Sequence, residues 1–561
     1  MPLSLPTPTQ AFVAASLVIA GTYLYSTLSY RRFKQNAHLP QLPSSLVWGH
    51  LITFDAFTKK GAADRHPDAI FSEMHAALGK PPIMLVDNWP IVPPMVIVAS
   101  HEVAEQLSRP SATFQYSALK SSSVDRIVDL IGPNSILLKQ TEDWKQVRRR
   151  FNPGFAPQHL MTLLPLILDK ASLYLDILDA LAHSADTISM DQITTNLTFD
   201  IIGAVTMGED MSAQHLDPAQ QGEMIRVYKE LIKSMHRTNP PPPMLTSTAF
   251  ADDKLQLPWW LMPRTHQKRR KLGSIIAEQL QLVVRRNFER MKVGLEDPKS
   301  RSILSLSLQG VETLTQDIVE ETCDQLKTFL FAGHDTTSTT ITWMVYELSR
   351  TPHALKSVRE ELDQLFGPGR ARDPNFVRQK LLGPGGEEIV HQMVYISAVM
   401  KEVLRLYSPA GSIRMSPPGT GFVVTTLQGD YNLDGKWIYL NHNIIHRDRT
   451  VYGDDADEFV PERWLQPDPV PASAWRAFER GPRNCIGQEL ANIEARVIIA
   501  MLACRYDFVK IGLGAIALND AGKPTLDHKK QYAVQSELYT TIQITGKPVD
   551  GMQMKVKMAS I

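Results

Sequence analysis

Apolar and polar positions divide the chain into one membrane-length run, several long helical stretches and a scatter of short extended segments. The first run is Ala11 to Tyr30, mainly apolar, with no charged side chain in residues 1–30 and with Arg31, Arg32 and Lys34 directly after it. Twenty helical residues span roughly 30 Å, the hydrocarbon thickness of a bilayer. A cleaved signal peptide carries its basic residues before a shorter apolar core. Here the charge follows the run, which predicts a retained transmembrane anchor over 11–30. The positive-inside rule makes 1–10 a lumenal tail and puts the rest of the chain in the cytosol. Ser16, Thr22, Ser26, Thr27 and Ser29 temper the hydropathy, so a buried helix is the alternative. Residues 31–50 then read as a basic connector, kept stiff and extended at Leu39-Pro40-Gln41-Leu42-Pro43 because each proline fixes its own φ and restricts the residue before it.

Beyond residue 50 helical periodicity dominates. Its clearest case is Thr315 to Arg350: Thr315 caps, Asp317, Glu320 and Glu321 suit the positive end, and Thr351-Pro352 stops the helix and starts another. In its middle lies Ala332-Gly333-His334-Asp335-Thr336-Thr337, a run of poor helix propensity that predicts a local distortion. Strand-like pieces are short: Ile83 to Val86, Val96 to Ala99, Phe422 to Leu427, Lys436 to Tyr439 and Tyr539 to Ile544. Breakers at Pro240 to Pro243, Gly367 to Gly369 and Gly383 to Gly386 read as loops within one unit, and no repeat of 20 to 50 residues is present. The expectation is one mainly α domain over 51–561 with small β-sheets.

Charge narrows the function. Lys+Arg and Asp+Glu both number 59, so no global basic field exists to hold a nucleic acid. Cys323, Cys485 and Cys504 form no C-x-x-C pair and are odd in number, which suggests neither a disulfide framework nor a structural zinc site. A cysteine that matters must act alone.

Cys485 has the surroundings for it. Phe478-Glu479-Arg480-Gly481-Pro482-Arg483-Asn484-Cys485-Ile486-Gly487 follows F-x-x-G-x-R-x-C-x-G and leads into a helical pattern from Gln488 to Leu502. Five fixed positions match by chance in a chain of this length about once in ten thousand. A cysteine between a Gly-bearing turn and a helix N-terminus sits among backbone N–H groups and a positive dipole end, which favour thiolate. The spacing resembles the haem-binding loop of the cytochrome P-450 superfamily. That resemblance implies Cys485 as the axial ligand of haem iron, Arg483 as a propionate partner, Phe478 as a shield for the sulfur, and Gly481 and Gly487 as turns that let backbone approach a flat cofactor. Cys323 and Cys504 read as inert, buried thiols.

Three further stretches resemble the same superfamily in the same order. Ala332 to Thr337 is similar to its A-G-x-D-T-T oxygen-activation motif. Ala332 and Gly333 then clear room over the cofactor, and Thr336 and Asp335 deliver protons before the O–O bond breaks. His334 occupies the variable position and is read as packed or exposed, not as a ligand. Glu402 and Arg405, three apart on one helix face, join Arg463 of Pro461-Glu462-Arg463-Trp464 in a structural Glu-Arg-Arg network. Trp144 and Arg148 match W-x-x-x-R and reach a haem propionate from one helix face, with Arg414 as a further propionate candidate.

The resemblance implies a mainly α, prism-shaped fold holding haem b, and NADPH-dependent insertion of one atom of O2 into an organic substrate. Without a dinucleotide G-x-G-x-x-G unit, electrons come from a separate NADPH-cytochrome P-450 reductase, docking near Arg480 and Lys145, with cytochrome b5 as a further donor. The expected location is the endoplasmic reticulum membrane. Substrate contacts fall on Ile127, Leu130, Ile131, Phe329, Phe331, Ile413, Met415 and the segment from Met235 to Trp260, which implies a hydrophobic small molecule. The segments Trp475 to Ala491 and Asn196 to Gly203 look like fungal microsomal members of secondary metabolism, hence a polyketide or terpenoid. The alternatives are a haem-thiolate isomerase or dehydratase needing neither O2 nor reductase, a fatty-acid hydroxylase, and a membrane-tethered haem-binding sensor without turnover.

Overall fold

The longest element starts and stops where the chain supplies a cap and a breaker. The central helix, Gln316–Arg350, is capped by Thr315, whose hydroxyl accepts from the Ile318 amide at 3.4 Å, and Pro352 opens the next helix, Pro352–Phe366. These positions come from a computed structural model that describes residues 7–89, 91, 93–235, 264–295, 301–467 and 470–560. The segment after Met235 named as a substrate contact, with its proline run, lies outside the described residues.

The central helix is buried along most of its length, including Thr337, Ser338, Thr339, Thr340 and Thr342. Hydroxyls inside a helix are satisfied by bonding back one turn. Thr336 donates to the Ala332 carbonyl at 2.8 Å, Thr339 to Asp335 at 2.9 Å and Thr340 to Thr336 at 2.9 Å. The expected distortion at Ala332 to Thr337 does not occur, and the stretch is α-helical throughout. Helix Met190–Met207 packs along it, and Gly333 sets how closely: a Cβ there would lie 2.6 Å from Ile202 Cδ1. Gly333 therefore makes room for a neighbouring helix, a correction to the expectation that it clears space for a cofactor. Around this pair one large apolar core includes Phe329, whose ring meets Phe151 and Phe155 edge-on, each at 5.1 Å.

The strands form small sheets at the margin. Five of them order as Ile83–Val86, Met95–Val98, Trp437–Leu440, Ser412–Met415 and Leu119–Lys120, antiparallel except where Met95–Val98 runs parallel to Trp437–Leu440. Val423–Thr426 and Gly429–Asn432 make one hairpin, and Thr540–Ile542 and Gly546–Pro548 make another near the C-terminus. Gln553–Met558 joins Tyr506–Lys510 and Ile188–Ser189.

The apolar run is a helix, Pro8–Ser29, with a Thr7–Gln10 capping box and no buried residue. The helical stretch 8–34 is the one helix among the described residues long and apolar enough to cross a membrane. The basic segment after it, read from the sequence as a connector, is packed against the fold at its start. Residues Tyr30–Lys34 continue as a π-helical turn in which the Arg32 side chain is buried, ion-paired with Asp87 and donating to the Val47 and Trp89 carbonyls at 2.9 and 2.7 Å. Arg31 stacks on Trp89 at 4.2 Å. Only from Pro40 is the chain extended, where the Pro40 carbonyl accepts from Leu85 at 2.8 Å.

Candidate active site

The cysteine loop is shaped by residues that no others could replace without movement. Gly481 has φ +76°, and a Cβ there would lie 1.8 Å from the Ser108 carbonyl oxygen. The close approach that requires this glycine is thus to protein backbone. Glu479 adopts φ +56°, which a non-glycine residue holds only when its side chain is fixed. Its carboxylate lies 3.1 Å from Arg414, 3.2 Å from Arg476 and 3.6 Å from His442. The Cys485 amide donates to the Phe478 carbonyl at 2.9 Å and closes the turn just before helix Gln488–Ala503.

Cys485 opens into a cavity of ≈ 280 Å³ whose far wall is the central helix at Phe329, Ala332 and Thr336. The thiol is accessible through that cavity while protein atoms pack densely behind it. Burial pushes the thiol up; the Gly487 amide, Arg148 and Lys120 pull it down without cancelling that effect. A coordinating metal ion deprotonates such a thiol outright.

Trp144, Arg148, Phe478, Arg483, Cys485 and Thr336 all line this cavity, so six of the nine predicted site residues come together from three separated segments. Arg148 Nη1 donates to the Asn484 carbonyl at 2.7 Å and Nη2 to its side-chain oxygen at 3.1 Å, which ties helix Thr141–Phe151 to the cysteine loop. Arg483 donates to Gln140 Oε1 at 2.9 Å and to the Lys139 carbonyl at 2.9 Å, with its guanidinium 5.0 Å from the Trp144 ring. Gly487 is the cap of the following helix, with its Cβ position 4.0 Å from Cys485 Sγ. Arg414 is buried one layer behind the wall, between Glu479, Ser117 and the Ala118 carbonyl, and its Nε has no partner. Asp335 also faces away from the cavity, toward Lys547 and Thr545. His334 is packed edge-on against Phe199 and Tyr228. Among the apolar substrate candidates Phe329 lines the cavity, while Leu130, Ile131 and Phe331 are core and Ile127, Ile413 and Met415 lie elsewhere.

Sequence reasoning missed Lys120, Glu479 and His442, which also line the cavity. Lys120 sits on a two-residue strand with no pattern around it; Glu479 occupies a free position of the loop pattern. Lys120 Nζ donates to Ser412 Oγ at 3.1 Å. Burial pushes its ammonium well below the ordinary lysine value, and Arg414 and Arg483 add to that. Burial acts on Arg483 and Arg148 in the same direction. Arginine keeps its proton under such pressure, so these charges need anions. Glu479, the one carboxylate among the described lining residues, is already engaged by Arg414 and Arg476. A thiol, a broad cavity and unbalanced cations beside it fit a flat metal-bearing cofactor with carboxylate arms, which is what haem is.

The Glu402 network lies behind this site and is complete. Glu402 Oε2 accepts from Arg405 Nε at 2.9 Å and from Trp464 Nε1 at 2.9 Å; Oε1 accepts from Arg405 Nη2 at 2.7 Å, Arg463 Nε at 3.0 Å and the Val460 amide at 3.0 Å. The Trp464 bond is an unforeseen member of it.

Known proteins match this arrangement. The family model described as Cytochrome P450 matches residues 64–534. The cytochrome P450 monooxygenase acrF of Aspergillus aculeatus is 29% identical over 523 residues, covering 89% of this chain and 98% of its own. The cytochrome P450 monooxygenase polC of Polytolypa hystricis is 26% identical over 558 residues, covering 96% and 92%. A crystal structure of a cytochrome P450, CYP102L1, superposes with a TM-score of 0.65 at 18% identity, over 88% of this chain and 98% of that one. The matched residues contain the cysteine loop, the central helix and the Glu402 network; the chain belongs to the cytochrome P450 family and is a monooxygenase of the oxidoreductase class.

Proposed function

We propose that this enzyme inserts one oxygen atom of O2 into a hydrophobic small molecule, a secondary metabolite of polyketide or terpenoid type, with electrons from NADPH supplied by a separate reductase. The observation that carries this reading is one cavity lined both by Cys485 and by Ala332 and Thr336 of the central helix. Haem b held at Cys485 would supply the redox centre at which O2 is activated. Arg483, Arg148 and Lys120 would hold its propionates with charge-assisted bonds, Trp144 packs under the Arg483 guanidinium, and Phe478 would keep water from the sulfur. Arg414 acts through Glu479, fixing the strained residue of the loop. Gly487 leaves its amide free to bond the sulfur.

Thr336 is the proton donor at the cavity. Its hydroxyl now donates to the Ala332 carbonyl, and turning it over frees the proton for a ligand above Ala332. Asp335, the preceding residue, relays a replacement proton from water to that hydroxyl and returns to its carboxylate form. Phe329, Leu404, Pro409 and Ala410 give the cavity an apolar lining, which favours a hydrophobic substrate held by contact area. The helix 8–34 anchors the enzyme as a single-pass protein of the endoplasmic reticulum, catalytic domain in the cytosol. Lys145 and the exposed Arg149, on the helix that braces the cysteine loop, present positive charge to an acidic reductase surface.

The test compares metabolites extracted from source cells with and without this chain by untargeted mass spectrometry. The expected pair is an accumulated precursor and a missing product heavier by one oxygen. A missing product of equal mass, or one lighter by water, overturns the monooxygenase reading in favour of an isomerase or dehydratase. Oxygenated fatty acids as the missing products would replace the secondary-metabolite assignment.

A further inference from the structure

Asp335 is held by a buried charge cluster assembled from three distant parts of the chain. Its carboxylate accepts from the Thr545 hydroxyl and lies 3.1 Å from the Lys547 ammonium. Lys547 Nζ also lies 3.0 Å from Asp191 Oδ1 and 3.2 Å from Ser338 Oγ. Asp191 is in the first turn of helix Met190–Met207, Asp335 and Ser338 are on the central helix, and Lys547 is in the strand Gly546–Pro548. Two carboxylates share one ammonium, itself 4% exposed.

Among the described residues no other cation pairs with these two carboxylates. His334, next in the helix, is buried with its Nδ1 on the Leu330 carbonyl, and burial lowers its affinity for a proton. Tyr228 packs on His334 from helix Glu223–Met235; burial, with Asp335 adding to it, holds its phenol far from ionising. Lys229 of that helix is directed to Asn196 and Gln221, at 2.7 and 3.0 Å, and burial lowers it to about 8. Burial pushes both carboxyls up. Lys547 then brings Asp335 below the ordinary carboxylate value, whereas Asp191 stays above it.

The strand carrying Lys547 also touches the cavity wall. Thr545 and Lys547 alternate with Gly546, so both side chains face Asp335 while the Gly546 amide donates to the Pro409 carbonyl at 2.8 Å. Pro409 lines the cavity. We infer that Lys547 is the positioning residue for Asp335, and that through it the C-terminal hairpin couples the substrate wall at Pro409 to the proton supply of the central helix. This rests on the proton role proposed above for Asp335.

The test uses the haem-loaded full chain and four variants: Lys547→Met, Lys547→Arg, Asp335→Asn and the double variant Lys547→Met with Asp335→Asn. Infrared spectra at neutral pH are expected to show protonated carboxyl absorption in Lys547→Met, absent from the native protein and from Lys547→Arg; the part that disappears in the double variant belongs to Asp335, and the part that stays belongs to Asp191, which loses the same ammonium. A folded Lys547→Met protein without the Asp335 part overturns the inference. With a reductase and NADPH, Lys547→Met and Asp335→Asn are each expected to slow NADPH oxidation roughly tenfold, and the double variant no further. Multiplying effects would mean that Lys547 acts independently of Asp335 and would overturn the coupling. If Asp335→Asn alone leaves the rate unchanged, the proton role of Asp335 falls, and with it the coupling, while the infrared band still decides whether Lys547 holds that carboxylate.

Discussion

Two clusters of buried charge flank helix Gln488–Ala503 and its loop, and they differ in one respect. Around Glu402, two arginines meet two carboxylates: Arg405 and Arg463 on Glu402, with Arg463 also 3.1 Å from Asp455. Spare guanidinium protons go to the His446 and Glu458 carbonyls, each at 2.8 Å. At the cavity, Lys120, Arg148 and Arg483 face no free carboxylate among the described lining residues. A closed cluster is explained by the fold, because burial of each charge is offset inside the protein. An open one is explained only by something that binds. The contrast separates architecture from function without reference to any motif.

Breaking the closed cluster has the largest expected effect. Glu402→Ala leaves Arg405 and Arg463 buried with one carboxylate between them, a loss of roughly 3 to 5 kcal/mol. Thermal unfolding of the haem-free and haem-loaded protein is expected to fall by similar amounts. A fall confined to the haem-loaded form would move Glu402 from the closed class to the open one.

Next comes the loop between the clusters. Gly481→Ala forces a Cβ against the Ser108 carbonyl at a φ that alanine resists, so the turn must shift at a cost of about 1 to 3 kcal/mol. Because the same turn carries Cys485, haem content after expression is expected to drop along with the melting temperature. Retained haem at native level would show that the turn is not what positions the sulfur.

The open cluster responds the other way. Arg483→Met removes a buried cation that lacks a counter-ion, so the haem-free chain is expected to melt at the native temperature or above it, while haem leaves about tenfold faster to a competing acceptor. Equal destabilisation of both forms would place Arg483 with the closed cluster.

The same distinction explains what was legible in the sequence. Elements written in local signals came through: Thr315 and Pro352 bound the central helix, Ile83–Val86 is a strand as read, and the cysteine loop precedes its helix. Hydroxyls that bond to their own helix are also local, yet they hid the regularity of Ala332 to Thr337, because propensity scores them as breakers. Positions decided by distant partners were not legible. Gly333 answers to Ile202, Asp335 to a lysine more than two hundred residues away, and Arg32 to Asp87 just after the first strand. Lys120 reached the cavity only because a two-residue strand pairs with Ser412–Met415. Pairwise chemistry across such separations leaves no periodicity to read.

The smallest expected effect tests how complete the closed cluster is. Trp464 ends a segment in which an aromatic ring alone would satisfy packing against Trp475, 6.1 Å away. Its indole N–H adds a bond to Glu402 Oε2, an oxygen that also accepts from Arg405 Nε. Trp464→Phe keeps an aromatic ring and deletes that donor, leaving a buried carboxylate oxygen with one partner fewer. The expected loss is about 1 kcal/mol, the net worth of a single hydrogen bond, read as a melting shift of a few degrees at unchanged haem content. A loss several times larger would mean that Arg405 and Arg463, with the Val460 amide, cannot hold Glu402 unaided, and that the cluster is closed by three donor side chains and not by two.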